Sequence, residues 1–127
     1  MLERSSFDFA VVRIVPRVER GEFVNAGVVL FCSTQNYLDC RIGVDVARLE
    51  SLSPSIDCAM IKAYLDVIPA VCRGGAEAGP IGRLTQRERF HWLVAPRSTI
   101  IQVSPVHSGV SADLPGALEK LFARLVK

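Results

Sequence analysis

The chain is poor in the residues that most often announce chemistry. It has two histidines, one tryptophan and four cysteines in 127 residues. No Cys-x-x-Cys pair occurs and neither histidine neighbours a cysteine in sequence, so zinc-ligand spacing is absent. Gly-x-Ser-x-Gly, a Walker loop, His-Glu-x-x-His and a paired-carboxylate motif are missing as well, which removes the signatures of nucleophile-elbow hydrolases, P-loop enzymes and zinc proteases. Excess charge of one sign is also missing: 15 basic against 13 acidic residues leave +2, too little to argue for nucleic acid from bulk charge. No apolar run approaches the roughly 18–20 residues of a membrane span. The segment Met1–Ser6 lacks the basic-then-apolar pattern of a leader. The expectation is a soluble, cytoplasmic chain with no metal and no cofactor.

What the chain does have is an ordinary globular composition, half apolar and 22% charged. Its length suits one domain, residues 1–127, around a single core. Of Cys32, Cys40, Cys58 and Cys72, three fall on apolar faces of the expected strands or helices and read as small hydrophobes of that core, with disulfides the lesser alternative. There is no internal repeat and no low-complexity tract.

Periodicity orders the elements. Phe7–Val15 is β-branched and aromatic with apolar residues on both faces, the pattern of a strand covered on both sides. Pro16 ends it, and residues 16–23 with Gly21 turn the chain into a second strand, Val24–Cys32. After a polar turn at 33–36, Tyr37–Gly43 alternates with Leu38, Cys40 and Ile42 inward. Three strands in succession make an antiparallel meander the simplest arrangement.

Ser53-Pro54 then reads as a helix start, followed by the stripe Cys58, Ile61, Leu65 and Ile68 and a stop or kink at Pro69. Residues 73–82, with four glycines and a proline, read as a flexible loop. Thr85-Gln-Arg-Glu88 is a capping box for a helix to Val94. Residues 99–104 read as a fourth strand, and Asp113 caps a closing helix with the stripe Leu114, Leu118, Leu121 and Leu125. Helix and strand periods come in blocks. The fold class is therefore α+β, a single layer of about four mainly antiparallel strands packed by about three helices.

Polar residues inside apolar stretches must be paired or must serve a site. Asn25 and Gly27, two apart, project to one face of the second strand; they read either as a bulge with Asn25 bonded to backbone or as a ligand-facing pair. Arg13 shares a face with Phe7, Phe9 and Val11 and needs an acidic partner, for which Glu22 is the candidate across the hairpin. Arg89 and Trp92 share a helix face, Arg97-Ser98 follows the helix-ending Pro96, and Ser104 and His107 come after. Such a set could hold a phosphate-bearing or nucleotide-like ligand, with Arg97 as the fork and Trp92 as the stacking plate. Otherwise Trp92 is core and Arg97 pairs with a carboxylate or with helix C-terminal carbonyls. His107 in Pro-Val-His-Ser-Gly reads as a loop residue that could act as an acid or base, or as a structural histidine without an orienting partner.

The ordered set Arg20–Phe31, Arg89-Phe-His-Trp-Leu, Ala95-Pro-Arg-Ser98 and Ser104-Pro-Val-His-Ser-Gly109 resembles the bacterial domain-of-unknown-function family 3037 (DUF3037) over nearly the whole chain. The resemblance implies a small bacterial protein whose gene neighbours one for a HipA-like kinase. It implies no activity, cofactor or catalytic residue. Two functions follow as expectations. One is a non-enzymatic binding or accessory partner of such a kinase, in a toxin-antitoxin-like or stress-response pair. The other is a small enzyme or sensor in which Arg13, Asn25, Arg97 and His107 converge on a phosphate-bearing ligand. A homodimer through an exposed sheet edge is compatible with either.

Overall fold

Five runs of strand-forming residues pair into one antiparallel sheet: β1 (Ser5–Ile14), β2 (Val24–Cys32), β3 (Tyr37–Ile42), β4 (Ile101–Val103) and β5 (His107–Ser111). The computed structural model describes residues 3–127. Met1 and Leu2 of the segment read above for a leader lie outside the described residues. β1, β2 and β3 form the expected meander, with β1 in the middle of the order β3-β2-β1-β4. The far edge of β1 is shared: Val12–Ile14 pair with β4 and Ser5–Phe9 pair with β5. β5 replaces the loop expected around His107: His-Ser-Gly-Val-Ser offers one strongly β-prone residue, and the ladder along β1 overrides that weak propensity.

Alternation sends each strand's apolar residues to two different cores. On one face Val12, Ile14, Val24, Val29, Phe31 and Leu38 pack against Leu49, Ile61, Leu65, Ile68, Val71, Phe90 and Leu93 of three helices: α1 (Val46–Leu52), α2 (Cys58–Arg73) and α3 (Gln86–Val94). On the other face Phe7, Val28, Leu30 and Cys32 pack against Leu114, Leu118, Phe122 and Val126 of α4 (Leu114–Leu125) and its C-terminal cap. The fold is α+β, with helices on both faces of the sheet. No helix among the described residues is long and apolar enough to cross a membrane.

Helix boundaries correct three expectations. Ser53 closes α1, whose start is capped by Asp45, and Asp57 opens α2 by accepting the Met60 amide. Pro69 lies inside α2, which continues to Arg73 because Val71 and Cys72 are buried in the core and packing outweighs propensity. The glycine-rich stretch, expected as loop, forms 3-10 turns over Ala76–Arg83 with a break at Gly79, and Gly75 N donates to Gly82 O at 3.0 Å. The Thr85–Glu88 capping box and the Asp113 cap form as the sequence predicts.

Candidate functional site

The arginines and the asparagine that interrupt apolar runs mostly terminate helices. The last carbonyls of a helix have no intrahelical donor. Arg89, 8% exposed, supplies donors to the end of α2: Nη1 meets Val71 O and Cys72 O, both at 2.8 Å, and Nε meets Leu84 O at 3.1 Å. Arg97 closes α3 in the same way, with Nη2 to Trp92 O at 2.6 Å and Nη1 to Leu93 O at 3.1 Å, its guanidinium 4.6 Å above the Trp92 ring. Asn25 Nδ2 donates to Leu125 O at the end of α4, at 2.9 Å. Three separate helix ends thus take three of the nominated side chains.

Two more complete the sheet. Ser104 is 3% exposed and stands at the break between β4 and β5. Its amide donates to Val11 O at 2.9 Å, and its Oγ accepts from Val11 N at 2.8 Å, so a hydroxyl carries the ladder across the break. Gly27 is enclosed: a Cβ there would sit 2.6 Å from Ile42 Cδ1 and 2.7 Å from Arg41 O. The close approach of β2 to β3 therefore requires glycine.

The register corrects the expectation that Asn25 and Gly27 share a face. Val12 pairs with Gly27 and Arg13 pairs with Asn25, which leaves Ala26 as an extra residue in a bulge. The bulge breaks the two-residue repeat. Asn25 joins the α4 face, and Gly27 joins the row of Val12 and Ile42 on the opposite face.

Arg13 and Asn25 meet as a cross-strand pair, but Arg97 and His107 do not complete a four-residue cluster with them. Arg97 belongs to the α1–α3 side, whereas His107 is an exposed β5 residue with its ring 5.6 Å from Phe9 on the α4 side. Ser98 is exposed beside Arg97. Glu22 does not reach Arg13; it pairs with its loop neighbour Arg20. The hairpin end orients Arg13 differently, laying the guanidinium 4.2 Å from the Phe23 ring centroid.

A concave surface does form, where the sequence nominated only part of it. Tyr64, Val67 and Ile68 of α2, Trp92 and Leu93 of α3, Arg97, and residues 99–103 line a groove of about 390 Å³. Its outer lip is apolar and open: Tyr64 is 48% and Val67 46% exposed, and Met60, one helical turn before Tyr64, is 37% exposed. Trp92 and Arg97 are among the residues that the sequence nominates; Tyr64 and Val67 are not. Their signal was available. Met60, Tyr64 and Val67 fall at four- and three-residue steps, a second apolar stripe on a helix already carrying its core stripe.

The groove floor includes a free sheet edge. Ile100 O accepts from Val15 N and Ser104 N donates to Val11 O, so alternation turns the backbone of Ile101 and Val103 away from β1. Ile101 O accepts the Thr99 hydroxyl at 2.9 Å, which leaves two amides and the Val103 carbonyl facing outward.

Chemically this groove offers apolar contact and a few backbone groups. It holds no assembled acid, base or nucleophile: its charged member, Arg97, is already bonded to two carbonyls. No group of three or more His, Cys, Asp or Glu residues able to hold a metal ion occurs among the described residues.

A family model described as "Protein of unknown function (DUF3037)" matches residues 9–126. No curated protein and no solved structure matches the chain.

Proposed function

The chain belongs to the DUF3037 family, whose description assigns no activity, and from that premise we propose that it is a non-enzymatic accessory protein that docks on a partner protein. The observation that carries this reading is the open apolar groove between α2, α3 and β4, with Tyr64 and Val67 standing on its lip. Apolar surface of this kind next to a free strand edge is what a protein partner covers. Aromatic residues with a nearby arginine are also the types that dominate binding energy at protein interfaces. Of the polar residues nominated for a catalytic reading, Arg89, Arg97 and Asn25 are held by helix ends and Ser104 by the sheet ladder.

The partner we nominate is a HipA-like kinase, the kind of gene neighbour that the resemblance implies, in a cytoplasmic toxin-antitoxin-like or stress-response pair. Such a compartment keeps the four thiols reduced. Co-expression of the tagged chain with that kinase tests the reading. Retention of the kinase by the unaltered chain, and its loss with Tyr64→Glu/Val67→Glu at unchanged thermal stability, is the expected result. A complex that forms equally well with the double variant would move the interface elsewhere, and no complex at all would end the nomination of this kinase.

A further inference from the structure

Arg13 is the nominated arginine whose hydrogen-bonding capacity the fold leaves unused. Arg89 donates to three carbonyls and Arg97 to two, whereas no hydrogen bond or ion pair among the described residues includes the Arg13 side chain. Its environment is built rather than solvated. The side chain is half-buried, in line with Phe7, Phe9 and Val11 on the face of β1 that α4 leaves partly open. Its guanidinium lies over Phe23, which is 44% exposed. Its Nε is buried and without an acceptor.

The residue opposite in the register, Asn25, likewise has a buried Oδ1 without a donor, while its Nδ2 is fixed by Leu125 O. These two are the orphaned buried side-chain atoms among the described residues, and they fall on one cross-strand pair at the Ala26 bulge. Bulges recur where a strand re-aims a side chain beside a functional site. The two Nη atoms are not among the buried unpaired atoms, so they reach the surface.

We propose that the Arg13–Phe23 corner at the β1–β2 bulge is a binding site for a carboxylate, engaged by the outward Nη edge of Arg13. A guanidinium held partly out of water without a counter-ion is stabilised by an anion that meets its planar fork, and a carboxylate matches that fork with two parallel hydrogen bonds. The site supplies one uncompensated cation. In the adjoining loop Arg17 and Arg20 balance Glu19 and Glu22 in formal charge, Glu22 pairing with Arg20, so Arg13 is the net cation. A single negative charge suits this balance better than a phosphate dianion. The carboxylate can belong to a small molecule or to an Asp or Glu side chain of a protein. The site lies across the sheet from the groove, so its fate does not decide that of the docking reading.

The test follows the Arg13 Nε–Hε resonance of the full chain by ¹H–¹⁵N NMR. Sodium acetate, inorganic phosphate and a capped peptide carrying one Glu are titrated in turn at ionic strength held constant with chloride. Acetate is expected to shift Arg13 saturably while the other arginine Nε signals stay in place, with phosphate weaker. A peptide affinity about tenfold above that of acetate assigns the source as protein, through added contacts; equal affinity assigns a free carboxylate. Phe23→Ala, at an exposed residue, is expected to weaken binding severalfold and leave the fold intact, and Arg13→Gln to abolish it. A shift no larger than chloride gives, a uniform shift of all exposed arginines, or unchanged binding in folded Arg13→Gln would each overturn the proposal.

Discussion

Arg89 meets three carbonyl oxygens and no carboxylate, so its charge is balanced by the negative end of α2 rather than by an ion pair. Arg89→Met fills similar space but strips the donors from Val71, Cys72 and Leu84. The expected loss is about 3 kcal/mol of unfolding free energy, read as a lower urea midpoint at unchanged slope. Arg89→Lys restores the charge without the fork and should recover only part of it. Gly27→Ala acts by overpacking, since the new methyl meets Ile42 and the Arg41 carbonyl well inside contact distance, and should cost about 1–3 kcal/mol in the same assay. Tyr37 gives a pH signature. Burial beneath α4, then the nearby Asp39 carboxylate, pushes its phenol up to about 12 from 10.0. Between those values the unfolded chain has released the proton and the folded chain keeps it, so stability is intact below pH 10 and falls as pH rises toward 12. Phenolate absorbance at 295 nm in a Tyr64→Phe background should titrate near the upper value, and Tyr37→Phe should flatten the loss of urea stability across that window.

Elements were legible where one local signal outweighed its rivals. β2 spans Val24–Cys32 as read, because the apolar run Val28–Cys32 and Val24 are β-formers and turns bound the segment on both sides. The α3 start is equally sharp. Thr85 Oγ1 accepts the Glu88 amide at 3.2 Å and Glu88 Oε1 accepts the Thr85 amide at 3.0 Å. Other elements depended on partners far away in sequence: β5 exists because β1 offers it a ladder, and α2 passes Pro69 because the sheet holds both sides of that turn. The site suffered most from this. Arg97 and Asn25 stood out correctly as polar interruptions, but which carbonyl each would meet is set by helix ends 5 and 100 residues away. A bulge of one residue then sent Asn25 and Gly27 to opposite faces, a slip that periodicity alone cannot register. At this scale Thr85→Ala should cost about 1 kcal/mol by leaving the first turn of α3 uncapped. The Glu88 carboxylate is held below its usual range by hydrogen bonds from Thr85, so its contribution is present above that usual range and fades as the solution is acidified through the folded value. Glu88→Gln should remove this part of the acid dependence, seen as a smaller change in thermal midpoint between pH 6 and pH 3.

The whole molecule is two cores sharing one sheet, and β2 belongs to both: Val24, Ala26, Val29 and Phe31 enter the α1–α3 side, and Val28, Leu30 and Cys32 enter the α4 side. A strand cannot leave one core and stay in the other, because its two faces move together. The two sides should therefore unfold in one transition, as small domains generally do. The chain carries its own reporter in its one tryptophan, since Trp92 packs against the α1–α3 core alone. Phe122→Ala removes a buried ring from the α4 core and should lower stability by about 3–5 kcal/mol. If the sheet couples the layers, Trp92 fluorescence in the variant moves to the same lower denaturant midpoint as far-UV circular dichroism. A Trp92 midpoint left at its original value while the helical signal falls would mean that α4 peels away independently. The same measurement bears on the docking reading, because an α4 layer that opened freely would expose Phe7, Leu30 and Phe9 as a second apolar surface competing with the Tyr64–Val67 groove.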